Sequence, residues 1–169
     1  MHHSLKKNKT VLILGASSDI GKPLVEKFIK QGWFVFAHIN NNIKNLSKIK
    51  KNIKIIKFDL NKQNEVKKLI KITSSNKIAS FINLVGYLDN ISFQKTNLKN
   101  LIKSLTINTL IPNLVKRSLL RSMKKLKFGR ILDVSSIGVK YGGSENTYNY
   151  SFSKHALEYI PSFLKDHII

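Results

Sequence analysis

The chain has 169 residues, 42% of them apolar, which is ordinary for a soluble globular protein and suits one domain with a sizeable core rather than two. It contains no cysteine, so a disulfide framework and a thiolate metal site are both excluded. No apolar run approaches the roughly 18–20 residues of a membrane helix, and MHHSLKKNKT has no signal-peptide core, so a cytoplasmic protein without a membrane partner is expected.

Thirty basic residues against nine acidic ones give a net charge of +21, which raises the question of a nucleic-acid or anionic-membrane surface. Only Arg117, Arg121 and Arg130 are arginine, the residue best suited to bidentate base and phosphate contacts. The lysines are spread along the chain, and the accompanying wealth of Asn and Ile is the pattern AT-rich codons produce. Nucleic-acid binding is therefore not expected, although the charge favours an acidic partner, cofactor or substrate.

In chain order, Thr10–Leu14 is a short continuous apolar run ending at Gly15, as in a strand buried on both faces. Apolar residues at 20, 24, 25, 28 and 29 predict a helix over 20–30, stopped by Gln31-Gly32. Strands are predicted over 33–39 and 53–58, a helix over 65–72, and a fourth strand over 78–85, closing on Gly86. Residues 98–126 read as one long helical stretch with a kink near Pro112. A fifth strand follows at 131–134, and a last helix at about 147–165. There is no repeat and no Pro/Gly-rich linker. This alternation predicts an α/β chain with a doubly wound parallel sheet of about five strands and helices on both faces.

Gly15-Ala16-Ser17-Ser18-Asp19-Ile20-Gly21 joins the first strand to the first helix. There, glycines admit a pyrophosphate close to the backbone, and the helix N-terminus offers free N–H groups and a positive dipole end. Asp19 is expected to cap the helix rather than to face phosphates.

This loop resembles the TGxxxGxG loop of the short-chain dehydrogenases/reductases, with Leu14 in the place of the usual Thr and Asp19 in that of the middle Gly. Asp59, with Leu60 after it, matches the acidic position that contacts adenine in that family. Asn83-Leu84-Val85-Gly86 is similar to its NNAG element, and Asn108 falls where the compact branch carries its active-site Asn. The resemblance covers nearly the whole chain and implies a single NAD(P)-binding Rossmann domain over 1–169. Gly15, Ser17, Ser18, Asp19, Ile20, Gly21, Asn40, Asp59, Leu60, Asn83, Gly86, Tyr150 and Lys154 would then bind the cofactor. Family members continue after the Tyr/Lys helix with a sixth strand, a substrate loop and helix, and a seventh strand. The chain is therefore expected to be C-terminally incomplete relative to the family.

Ser135-Ser136 ends the fifth strand, and Tyr150-Ser-Phe-Ser-Lys154 follows. A Tyr and a Lys four apart on a helix share one face, one turn apart. A phenol ordinarily ionises near pH ~10, and an adjacent ammonium favours its phenolate, as proton relay at neutral pH requires. Tyr148 fails this pattern, because Phe152 stands four residues after it. By resemblance, Ser136, the second serine of its pair, orients the substrate oxygen and Tyr150 is the general acid/base. Lys154 holds the nicotinamide ribose, and Asn108 holds a water linking Lys154 to solvent. The segment after the second strand, His38-Ile39-Asn40-Asn41-Asn42-Ile43-Lys44, carries no acid to bind ribose hydroxyls. Asn40 and Lys44 could instead accept a 2′-phosphate, so NADP is preferred over NAD. The function implied is hydride transfer between a small-molecule carbonyl and its alcohol, with a homo-oligomer as a further implication. The alternative is a catalytically idle dinucleotide-binding or partner-binding domain.

Overall fold

Five parallel strands form one sheet in the order β3-β2-β1-β4-β5: β1 (Thr10–Leu14), β2 (Phe34–Ile39), β3 (Ile53–Lys57), β4 (Ser80–Asn83) and β5 (Arg130–Asp133). The computed structural model describes residues 9–43 and 46–162. The helices are α1 (Gly21–Lys30), α2 (Gln63–Ser75), α3 (Leu98–Leu105), α4 (Ile111–Leu126), α5 (Ile137–Tyr141) and α6 (Tyr148–Leu157). The chain divides into two units, one of Met1–Gly86 with Ile111–Val134 and the other of Tyr87–Leu110 with Ser135–Ile169.

The first unit holds the whole sheet. Side chains alternate between its faces, and both faces of β1 are fully buried, which is why its sequence is continuously apolar. Val11, Ile13, Val35, Ala37 and Ile39 form one face and pack with Leu24, Val25 and Phe28 of α1. Leu12, Leu14, Phe36 and His38 point to the opposite face and are equally hidden. α2 and α4 pack together in this unit, burying Leu69, Val115 and Leu119, and Thr73 Oγ1 and Ser118 Oγ meet at 2.5 Å. The strand order reverses between β1 and β4, whose ends lie in register at Leu14 and Asn83. In an open parallel sheet such a reversal leaves a crevice beyond the strand carboxyl ends.

The second unit contains α3, the π-helical turn Thr106–Leu110, α5 and α6. α3 and α6 pack against each other, and the π turn also contacts α6.

The long helix expected over 98–126 is in fact three segments. Pro112 has no N–H to return to the carbonyl four residues earlier, and the backbone meets this with the wider π turn rather than a simple kink. The last helix stops at Leu157, ahead of Pro161, which disfavours helical geometry in the residue before it; the part of that expectation beyond 162 lies outside the described residues. Short α5 and the 3-10 turns Phe93–Lys95 and Glu145–Thr147 carry too little periodicity to be read from the sequence.

Candidate functional site

In the first unit, the glycine-rich turn leaves β1 at Gly15, whose φ of +82° is the left-handed conformation glycine adopts without strain. A Cβ there would lie 3.2 Å from the Leu84 carbonyl carbon, so the turn runs close beside the Asn83–Gly86 segment. A Cβ on Gly21 would stand 2.4 Å from the Ala16 carbonyl oxygen, so the helix start can close on the turn only with glycine there. Ser18 Oγ accepts the Gly21 N–H at 3.0 Å. The helix is thus capped from Ser18, and the capping expected of Asp19 is not found; Asp19 is exposed. A Ser hydroxyl three residues before an N–H reaches it through a compact turn.

His38, at the end of β2, holds the other side of the turn. Its carbonyl accepts the Ala16 N–H at 2.8 Å, and its Nδ1 lies 3.3 Å from the Gly15 nitrogen as that N–H donates to it. Nδ1 is therefore unprotonated, and the Nε2–H donates to the Phe58 carbonyl at 3.0 Å. The ring is only 2% exposed, and burial pushes its pKa down from 6.5 to about 4, against the opposing pull of the Phe58 carbonyl.

Asn83, fully buried, accepts the Val85 N–H on its Oδ1 at 3.1 Å, and its Nδ2 donates to Asp133 Oδ1 at 3.0 Å. Lys116 completes that carboxylate from 2.8 Å. Beyond the ends of β2 and β3 lies a cleft of about 410 Å³ bordered by Asn40, Asn41, Lys57, Asp59, Lys62 and Lys68. Asp59 Oδ1 accepts both the backbone N–H and the side-chain amide of Asn61 at 2.9 Å. Glu65 accepts the Asp59 N–H, a bond that holds its carboxyl below the usual range, and it pairs with Lys62 at 3.3 Å. Leu60 is buried and Gly86 exposed. Lys44 lies outside the described residues.

In the second unit, Tyr150 and Lys154 lie one turn apart on α6, with Lys154 Nζ 5.8 Å from the centre of the Tyr150 ring. Lys154 is 2% exposed, whereas Tyr150 is partly open. Asn108 sits on the π turn and is fully buried. Its Oδ1 accepts the Tyr87 N–H at 2.7 Å, and its Nδ2 donates to the Tyr87 carbonyl at 2.9 Å and to Ser153 Oγ at 2.8 Å. Ser153 in turn donates to the Tyr150 carbonyl at 2.7 Å. Asn108 and Tyr150 are therefore linked through Ser153, with Lys154 one helical turn beyond Tyr150.

The two serines after β5 differ in their partners. Ser135 donates to Glu158, and Ser136 Oγ caps α5 by accepting the Gly138 N–H at 3.1 Å. Gly138 of α5 packs against α6: a Cβ there would lie 2.6 Å from Ser151 Oγ.

His38, Asn149 and Ser153 were not singled out by sequence. Asn149 donates to both Asp89 Oδ2 and Thr96 Oγ1 at 2.8 Å, pinning the first turn of α6. The available signal for His38 was a lone polar residue in the apolar strand FVFAHI. Among the described residues, no group of His, Cys, Asp and Glu could hold a metal ion, and no helix is long and apolar enough to cross a membrane.

The uncharacterized oxidoreductase YmfI of Bacillus subtilis is 29% identical to the chain over 164 residues, covering 88% of it and 64% of the relative. The 3-oxoacyl-[acyl-carrier-protein] reductase FabG of Buchnera aphidicola is 30% identical, with 89% and 64% covered. The chain thus spans less than two thirds of the length of these relatives. Among solved structures, a short-chain dehydrogenase from Streptomyces avermitilis superposes with a TM-score of 0.82 at 21% identity, covering 96% of this chain and 61% of its own. A short-chain dehydrogenase from Sphingobium yanoikuyae, in complex with NADPH, gives 0.78 at 18% identity, covering 88% and 61%. Residues 9–167 match the short chain dehydrogenase family, and it is to this family that the chain belongs.

Proposed function

We propose that the chain binds NADP(H) and interconverts a small-molecule carbonyl and its alcohol, with Tyr150 as general acid/base. The observation that carries this reading is the buried Lys154 ammonium, 5.8 Å from the Tyr150 ring on the same helix face. Tyr150 would exchange a proton with a substrate oxygen, with Lys154 beside it on the helix. Ser136 would orient that oxygen. The bound dinucleotide supplies the hydride chemistry.

The residues fit such a group. The Gly15–Gly21 turn packs its glycines tightly against the Leu84–Val85 and Ala16 backbone, and the helix start that follows it suits a diphosphate. Asn83 and Gly86 border that turn, and Asp59 and Leu60 stand at the adenine end of the reading. Lys154 would also hold the nicotinamide ribose. The side-chain amide of Asn108 already has partners on both ends, so a relay water would sit on its main-chain carbonyl, to which Pro112 can give no amide. The NADPH complex of the Sphingobium enzyme and the reductase activity in the name of Buchnera FabG are consistent with the cofactor and the reaction type.

A binding module without turnover is the second reading. The test is NADPH oxidation by the purified chain against a panel of ketones and β-ketoacyl thioesters. The proposal expects turnover that falls by about 10²–10⁴-fold in Tyr150→Phe, with NADPH still bound. Binding without turnover on any carbonyl would favour the second reading.

A further inference from the structure

We propose that His38 is a positioning residue for the glycine-rich turn: as the neutral Nε2–H tautomer it takes the Gly15 amide into the sheet and so fixes the path of the turn that would meet a dinucleotide diphosphate. This rests on the cofactor reading above.

The first two amides of the turn both end on one residue, Gly15 on the His38 ring and Ala16 on the His38 carbonyl. Their direction is therefore set by the end of β2. The ring cannot rotate freely, because its second nitrogen is anchored on the Phe58 carbonyl just after β3, and it is 2% exposed. The imidazole thus spans three segments of the sheet end: the exit of β1, the end of β2 and the residue beyond β3. Only one protonation state serves both contacts. The Nδ1–H tautomer would set one N–H against the Gly15 N–H and leave the Phe58 carbonyl facing a bare nitrogen. The low pKa that burial gives the ring keeps it neutral around pH 7. Gly15 sits at φ +82° with the Leu84–Val85 backbone close on its Cβ side, so the turn is held between that segment and His38.

The experiment compares the full chain with His38→Leu, which removes both contacts, and His38→Asn, whose Oδ1 can still accept the Gly15 amide. NADPH affinity is read by fluorescence titration, alongside circular dichroism and thermal melting. The expected result is binding weakened by about tenfold or more in His38→Leu and recovered to within about threefold of the parent in His38→Asn. Unchanged affinity in a folded His38→Leu, or equal weakening in both variants that merely tracks their melting temperatures, would overturn it. Imidazole ¹⁵N spectra of the unsubstituted chain give a readout that needs no variant to fold. A protonated Nε2 is expected, and a protonated Nδ1 overturns the proposal. If the unsubstituted chain binds no NADPH, the cofactor reading itself fails and takes the cofactor part of this proposal with it, whereas parent-like binding by His38→Leu sinks this proposal alone.

Discussion

The side-chain amide of Asn108 pairs with both the N–H and the carbonyl of Tyr87, at 2.7 and 2.9 Å, as a neighbouring strand would. A helical residue thus closes the backbone hydrogen bonding of the segment just after Gly86. Its third bond, to Ser153 Oγ, ties that segment to the middle of α6, between Tyr150 and Lys154.

Asn108→Ala should therefore destabilise the protein by roughly 2–4 kcal/mol, since it deletes three bonds and leaves buried groups without partners. Urea denaturation of the variant checks this. A loss below about 0.5 kcal/mol would mean that the three bonds contribute little, and the placement of Asn108 would then have to be explained by chemistry alone.

His38 makes stability depend on pH. In the unfolded chain it titrates at its ordinary value near 6.5, and in the fold at about 4. Between these values the unfolded chain binds more protons, so acid favours unfolding. The contribution is fully present above pH 6.5, declines as pH falls, and is lost as pH passes through the folded value. The difference between pH 7 and pH 4 is about 3 kcal/mol by linkage. Urea midpoints of the unsubstituted chain should fall more steeply over this window than those of His38→Gln. Parallel curves would show that other groups govern the acid limb.

Strand β1, the glycine turn and the Tyr/Lys pair were legible because each depends on local pattern. A doubly buried strand must be continuously apolar, a close backbone approach needs glycine, and i,i+4 spacing sets a shared helix face. The π turn was only half legible: Pro112 announced an interruption but not its form. The Ser18 cap was misassigned to Asp19, since both side chains suit a helix start and the turn geometry decides between them. His38, Asn149 and Ser153 act across 23, 60 and 45 residues of sequence, and no periodicity reports such pairings.

Gly21→Ala should be destabilising even though alanine favours helix. The added methyl would stand 2.4 Å from the Ala16 carbonyl oxygen, and backbone cannot move aside as a flexible side chain can. A cost of about 2 kcal/mol is expected, together with loss of NADPH binding. Gly32→Ala is the control. At φ +78° with nothing within 4 Å, it should cost about 1 kcal/mol and leave the nucleotide affinity unchanged. Tighter NADPH binding in Gly21→Ala would contradict a diphosphate site built on this closely packed turn.

Cofactor choice should follow the charge of the cleft beyond β2 and β3. Neither Asn40 nor Asn41 provides an acid to grip ribose hydroxyls, and Lys57, Lys62 and Lys68 border the space. Both carboxylates there already accept bonds within the protein, Asp59 from Asn61 and Glu65 from the Asp59 amide and Lys62. A 2′-phosphate would thus meet a cationic rim. NADPH is expected to bind about tenfold more tightly than NADH at low salt, with the gap narrowing as salt screens the exposed ammonium groups. Lys57→Glu should narrow it further by weakening NADPH and leaving NADH nearly unchanged. Competitive titration of the two nucleotides, at low and high salt, measures both effects. If NADH proves the tighter ligand, or the gap ignores salt and Lys57→Glu alike, the phosphate is not read in this cleft.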